Sequence, residues 1–118
     1  MPDLLSSGAA WLESQRHQHL AKEVVYRRGP LQVTLRATVG RTEFELADEQ
    51  GILQRIESRD YLVRAEDLTL GHPQAGDTIV EDGLAFEVNS PGGAPAWRYS
   101  DPNRHTLRIH TKAAGRAT

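Results

Sequence analysis

The sequence contains no cysteine in its 118 residues. Disulfide bonds, thiolate metal sites and cysteine nucleophiles are therefore excluded. Long apolar runs are missing too, because no stretch approaches the roughly 20 apolar residues of a membrane-spanning helix. Residues 1–20 have neither a basic start nor a long apolar segment. This pattern predicts that there is no secretory signal and that the chain folds in the cytosol.

The five histidines are not spaced as metal ligands. His17 and His19 lie two apart on a predicted helix, so their side chains point roughly 200° apart. His105 and His110 lie five apart in a predicted strand and fall on opposite faces. His72 is alone in a loop. No pair can share an ion, and we predict no metal site.

Patterns typical of catalysis are also absent. No Gly-x-Ser-x-Gly nucleophile motif occurs. Pro91-Gly92-Gly93 is glycine-rich, but it precedes a predicted strand and not the helix whose N-terminus binds phosphate. Glu43 and Glu45 share the polar face of a strand, where paired carboxylates are usually solvated. We therefore expect no enzyme activity, no catalytic residue and no cofactor.

The charged residues are distributed unevenly along a chain of typical globular composition, with 38% hydrophobic and 25% charged residues. Although the net charge is −2, residues 1–41 carry +3, residues 42–87 carry −9 and residues 88–118 carry +4. These segments either pair within the fold or form two faces of opposite sign. Two such faces would suit stacking against copies of the chain or against charged partners.

Alternation of apolar and polar residues predicts a β protein. The clearest strand spans residues 31–39, Gly40 interrupts it, and Asp82-Gly83 is a tight hairpin turn. A bend at residues 58–59 separates two further strands. The predicted strands cover residues 23–28, 31–39 with its continuation at 42–46, 52–57, 60–64, 78–81, 84–88, 97–99 and 106–110.

These strands predict a mainly β fold, a small β-barrel or sandwich of six to eight short antiparallel strands with one N-terminal α-helix. We expect three segments. Residues 1–22 form the helical segment, which is partly mobile, residues 23–112 form the β-barrel domain, and residues 113–118 form a flexible tail.

Basic and aromatic residues accumulate near the C-terminus, namely Trp97, Arg98, Tyr99, Arg104, His105, Arg108 and Lys112. Small β-barrels bind single-stranded nucleic acid by stacking bases on aromatic side chains. Alternation places Trp97 and Tyr99 on the opposite face from Arg98, which favours the aromatics as core residues. A single-strand nucleic-acid-binding module stays as an alternative.

Short motifs follow one another in a recognisable order in the second half. Residues 61–68 are a strand that ends in an acidic turn, residues 76–79 form a Gly-Asp corner, residues 86–88 belong to a hairpin, and a Gly/Pro loop precedes the last strand. This order resembles that of phage head–tail joining proteins, and in particular the lambda-like tail-attachment (FII-type) group. The resemblance covers residues 58–112 well, and residues 1–57 by length and order.

The resemblance implies a structural protein of a tailed phage or prophage, assembled as a ring homo-oligomer in the virion neck from subunits made in the host cytoplasm. The ring would contact a portal–adaptor protein and a tail-terminator or completion protein, and would help to retain DNA. Packaged DNA would pass through its channel without sequence-specific binding. A tail terminator or minor tail protein is the alternative within the same particle.

Two loops are predicted to contact neighbouring subunits or the channel, with ordinary solvent exposure as the alternative for each. The first lies in residues 47–51 and the second in residues 89–96, and the N-terminal segment is a further docking element. The predicted interface residues are Asp48, Glu49, Gln50, Gly51, Ser90, Pro91, Gly92, Gly93 and Ala94. The predicted DNA-facing residues are Arg27, Arg28 and Arg36.

Overall fold

The computed structural model describes residues 21–117, and the predicted N-terminal helix lies outside them. Among these residues, no helix has the length and apolar character needed to cross a membrane. Two short 3-10 turns lie at Ala65–Asp67 and Pro91–Gly93. The strands are β1 (Lys22–Arg28), β2 (Leu31–Ala47), β3 (Leu53–Arg64), β4 (Thr78–Glu81), β5 (Leu84–Val88), β6 (Trp97–Tyr99) and β7 (Thr106–Arg116).

The seven described strands form one antiparallel sheet in the order β3-β2-β1-β4-β5-β7-β6. Because β3 also pairs with β7, the pairings run in a closed circuit through six strands, and β6 is attached to β7 beside it. The predicted mainly β class and the predicted number of antiparallel strands are confirmed.

The hydrophobic core lies inside this circuit and draws on all six of its strands. Alternate residues point inward, as the period of a β-strand requires. Each large apolar side chain that is removed from water contributes about 1.5–3 kcal/mol. The buried core side chains are Val24, Tyr26, Leu35, Ala37, Tyr61, Val63, Leu68, Ile79, Phe86, Val88, Leu107 and Ile109.

A tyrosine–carboxylate–arginine group occupies one end of the interior. The hydroxyl of buried Tyr26 donates to Asp77, just before β4. The Nη2 atom of Arg28 lies 2.9 Å from Asp77 Oδ2, and its Nη1 atom donates to the carbonyl of Leu70 at 2.6 Å. Burial raises the pKa of Tyr26, and the hydrogen bond to Asp77 raises it further.

A second group of the same kind lies at the other end of β4. The hydroxyl of buried Tyr61 donates to Glu81 Oε1 at 2.8 Å, and Arg59 Nη2 donates to the same oxygen at 2.7 Å. Lys22 Nζ lies 3.3 Å from Glu81 Oε2. Burial opposes ionisation of Glu81, but the hydrogen bonds from these three side chains keep its pKa below the ordinary value.

Three strand boundaries differ from the predictions. β2 continues through Gly40, and β3 continues through the expected bend at residues 58–59, because each is held in one unbroken ladder against the other. β7 extends to Arg116 because its last residues pair with β5, whereas the tail was expected to begin at residue 113. The Asp82-Gly83 turn is confirmed, and both residues have the positive φ that a type I′ turn needs.

Candidate assembly surface

A two-stranded hairpin projects from the sheet. The β2–β3 ladder runs from Ala37↔Val63 to Ala47↔Leu53. Within the described chain, β1 accompanies β2 only as far as Ala37, and β7 accompanies β3 only from Arg59 onward. Residues 43–57, which we call the arm, therefore have no third strand. The arm fits the elongated shape, 54 × 36 × 23 Å with a radius of gyration of 15.6 Å, whereas a compact domain of this size has about 13 Å.

The arm has two different faces. Phe44 lies opposite Ile56 on one face, and Glu45 lies opposite Arg55 on the other, with 3.7 Å between Glu45 Oε1 and Arg55 Nε. An isolated two-stranded hairpin is marginally stable in water. An arm with one partly apolar face and no third strand is therefore suited to pairing with another protein surface.

The tip of the arm contains the first loop predicted to be an interface. The Oδ1 atom of Asp48 accepts hydrogen bonds from the backbone N–H groups of Gln50 and Ile52, at 2.9 and 2.8 Å. Asp48 thus shapes the turn, and residues 48–51 are all exposed. Ile52 and Leu53 follow with 57% and 65% of their surface exposed, which leaves two apolar side chains in water.

The second predicted loop lies against the flank of the arm. Its 3-10 turn places Gly92 so close to Leu46 that a Cβ atom on the glycine would overlap Leu46 Cδ2. Hydrogen bonds from Asn89 N to His110 O, at 3.0 Å, and from His110 N to Ala96 O, at 2.8 Å, hold both ends of the loop on β7. The second predicted loop therefore lies beside the arm at Leu46, and the arm's tip carries residues 48–51.

A buried carboxylate anchors the root of the arm, a feature that no pattern in the sequence indicates. Asp60 is fully buried and accepts hydrogen bonds from Ser58 and Thr42. Arg108 Nη1 donates to its Oδ2 atom at 2.6 Å, and His110 Nδ1 lies 2.9 Å from its Oδ1 atom. Burial opposes ionisation, but these partners together keep the pKa of Asp60 below its ordinary value.

This cluster has the residue types of a serine-protease triad but not its geometry. Ser58 Oγ lies 3.3 Å from His110 Nδ1, and Asp60 Oδ1 lies 2.9 Å from the same nitrogen. A triad needs the serine and the carboxylate on different ring nitrogens. Ser58 is also buried and donates its proton to Asp60. The cluster fixes strands β2, β3 and β7 to one another where the arm leaves the sheet.

The model of the phage head-tail joining protein family matches residues 2–118. The chain belongs to this family. The predicted resemblance is confirmed, and the joining protein is a structural component of the phage neck. No curated protein matches the chain with significance.

The three arginines predicted to face DNA do not lie together in the joining protein. Glu23 pairs with Arg36, and Arg27 pairs with Gln32, which places Arg27 and Arg36 on the outer face of the sheet. Arg28 points to the inner side and is bound to Asp77. The guanidinium of Arg36 also donates to the carbonyl of Ala21 at 2.8 Å. Contact of these arginines with DNA stays a prediction.

The rings of Trp97 and Tyr99, near the C-terminus, pack largely against other side chains of the joining protein. His72 stacks on Trp97 with 4.5 Å between ring centroids, and Tyr99 meets Trp97 edge-on at 5.2 Å. Arg104 lies over Tyr99 at 5.7 Å, and both aromatics pack partly against the core. This packing leaves less open ring surface than a base-stacking platform uses. Among residues 21–117, no cluster of three or more metal-ligating side chains occurs.

Proposed function

We propose that the joining protein is a head–tail connector, a ring in the virion neck that links the portal–adaptor complex to the tail. The observation that carries the proposal is the arm, an exposed hairpin on a family member whose core is complete without it. None of the buried core residues in the described part of the chain lies within residues 43–57. The arm is therefore available for contacts outside the subunit.

The remainder of the molecule suits a rigid ring subunit. We infer that the closed circuit of six strands forms a small β-barrel body, held at its two ends by the Tyr26–Asp77–Arg28 and Tyr61–Glu81–Arg59 groups. A ring needs a heterologous contact, in which one patch of a subunit meets a different patch of the next. A projecting arm and a separate body supply two such patches.

The proposed partners are further copies of the chain, a portal–adaptor protein on the head side and a tail-terminator or completion protein on the tail side. Subunits would be made in the host cytoplasm, from a phage or prophage gene, and incorporated into the neck. Packaged DNA would pass through the ring, which would help to retain it, without sequence-specific binding. The outward-facing Arg27 and Arg36 are candidates for backbone contact, and no catalysis or cofactor is required.

Electron microscopy of lysates from a phage lacking this gene tests the proposal. A connector is needed after DNA packaging and after tail assembly, so we expect DNA-filled heads beside complete, separate tails. Normal virions, or empty heads from failed packaging, would overturn the connector role. Tails of irregular length would instead indicate a tail terminator.

A further inference from the structure

The C-terminal half of β7 has one edge without a strand partner among residues 21–117. Thr111 pairs with Arg59 of β3 on one edge and with Val88 of β5 on the other. Beyond Thr111, β7 stays paired with β5, whereas the β3 ladder has ended within the described chain. Residues 112–116 therefore present an open row of backbone groups on the β3 side. We call this segment the bare edge.

The composition of the bare edge allows another strand to approach closely. Its sequence is Lys-Ala-Ala-Gly-Arg, and all five residues are exposed. Small side chains in the middle leave the backbone accessible, and Lys112 and Arg116 carry positive charge at the two ends. An unpaired strand edge is a template for an additional strand. This one contains a β-bulge at Ala114, where β7 has one residue more than β5.

The arm has complementary properties. It carries five acidic residues and a single basic one, Arg55, which gives a net charge of −4. Both of its own edges lack a strand partner in the described part of the chain beyond the root. It also exposes Ile52, Leu53 and Ile56.

We propose that the arm of one copy adds as a strand to the bare edge of a second copy. The arm then lies beside residues 112–116 of the second copy. That copy's own β3 would lie there if its pairing with β7 continued on the N-terminal side of Arg59. Backbone hydrogen bonds would supply the pairing, and the acidic arm would neutralise Lys112 and Arg116 and so select this edge.

The consequence is a directional chain of subunits. Donor arm and acceptor edge are different surfaces of the same molecule, so the contact is heterologous and closes into a ring if the rotation allows. The inference rests on the proposed function, because it names the contact between copies in the proposed neck ring.

Disulfide trapping in the full-length protein tests this contact, since the natural chain contains no cysteine. One protein carries Ala47→Cys on the arm and a second carries Ala114→Cys at the bare edge. Each molecule has one cysteine, so every bond joins two copies. At high protein concentration and under mild oxidation, we expect the A47C–A114C heterodimer to exceed the share given by random pairing. A third protein, with Asn103→Cys in the β6–β7 turn, is the matched control and should show no excess with A47C.

Charge reversal then distinguishes specific pairing at the bare edge from non-specific electrostatic attraction between copies. Adding K112E and R116E to the edge protein should abolish the heterodimer excess, and adding E43K and E45K to the arm protein should restore it. The pair R98E and R104E changes the net charge equally and should have no effect. Thermal melts confirm that each variant is folded.

Absence of a heterodimer excess, or an excess that is indifferent to K112E and R116E, would overturn the inference. Its failure is distinguishable from failure of the proposed function. Normal virions without the gene would overturn the connector role and leave the trapping result unchanged. Unjoined heads and tails without specific trapping would support the connector role and reject this contact.

Discussion

At the scale of single residues, the unusual feature of the joining protein is how much charge it buries. Asp60, Asp77 and Glu81 are all buried, and each accepts hydrogen bonds from an arginine and at least one hydroxyl group. Burying a carboxylate costs several kcal/mol unless partners of this kind surround it. Each site therefore fixes a particular arrangement of strands, and losing one partner leaves the others unsatisfied.

We expect Asp60→Asn to destabilise the fold by about 3 kcal/mol, because it leaves Arg108 without its counter-charge. This loss of stability lies at the lower end of the range for breaking a buried ion pair, because the Arg108 side chain is 20% exposed. Urea unfolding monitored by tryptophan fluorescence measures the change. Glu45→Gln removes the same charge from an exposed pair and should cost less than about 1 kcal/mol. Equal losses in the two variants would contradict the assigned role of Asp60.

The three buried carboxylates also predict a pH dependence. Their pKa values are lowered in the folded protein from ordinary values of 3.8 for the aspartates and 4.5 for Glu81. The unfolded chain therefore takes up protons first as the pH falls. The stabilisation is complete above the ordinary values and is lost below about pH 4.5. Urea midpoints measured from pH 7 to pH 2 should fall steeply in that range. They should fall less steeply in Asp60→Asn, and identical acid slopes would refute the assignment.

Gly92 and Gly93 form a matched pair at the flank of the arm. Both have positive φ, so alanine at either position costs roughly 1 kcal/mol of backbone strain. Only Gly92 faces Leu46, and a Cβ on Gly93 meets no atom within 4 Å. We expect Gly92→Ala to destabilise more than Gly93→Ala in thermal melts. Leu46→Ala should remove most of that excess in a double-mutant cycle. Equal losses of stability in the two variants would mean that the loop does not pack against the arm.

At the scale of elements, alternation in the sequence predicted where the strands lie but not how far they extend. Alternation at residues 31–39 predicted the first part of β2, and the Asp-Gly turn predicted the β4–β5 hairpin. Both succeeded because these signals depend on neighbouring residues alone. Residues 58–59 were interpreted as a bend before Asp60, because the partners of Asp60, Arg108 and His110, lie about 50 residues away in the sequence. The acidic stretch at residues 47–51 was recognised as a turn, but sequence alone could not show that it caps a projecting hairpin.

Removal of the arm should leave a folded body. Thr42 and Ser58 face each other in the ladder, so an Asn-Gly turn can replace residues 43–57 and keep both partners of Asp60. The deletion removes no core residue, and we expect circular dichroism to show a cooperative thermal transition like that of the intact protein. The shortened protein should lose contacts between copies. Loss of the cooperative transition would show that the arm belongs to the folding unit.

At the scale of the whole molecule, the family match indicates where the protein acts, and the structure shows which surfaces it offers. Membership of the head-tail joining family places the protein in the phage neck. The structure adds an elongated subunit with a stable interior and one outward element. The uneven charge along the sequence predicted either pairing within the fold or two faces of opposite sign. Asp60 and Asp77 pair with Arg108 and Arg28 within the fold, whereas the acidic arm and the basic bare edge lie on different strands.

The most direct test of the connector role is an in vitro joining assay. Extracts of phage lacking the gene supply filled heads and finished tails, purified protein is added, and joined particles are counted by electron microscopy and plaque formation. We expect the intact protein to join the two and restore infectivity, whereas the folded arm-deleted protein should not. Failure of the intact protein to join filled heads to tails would contradict the connector role. Full joining by the arm-deleted protein would contradict the role of the arm.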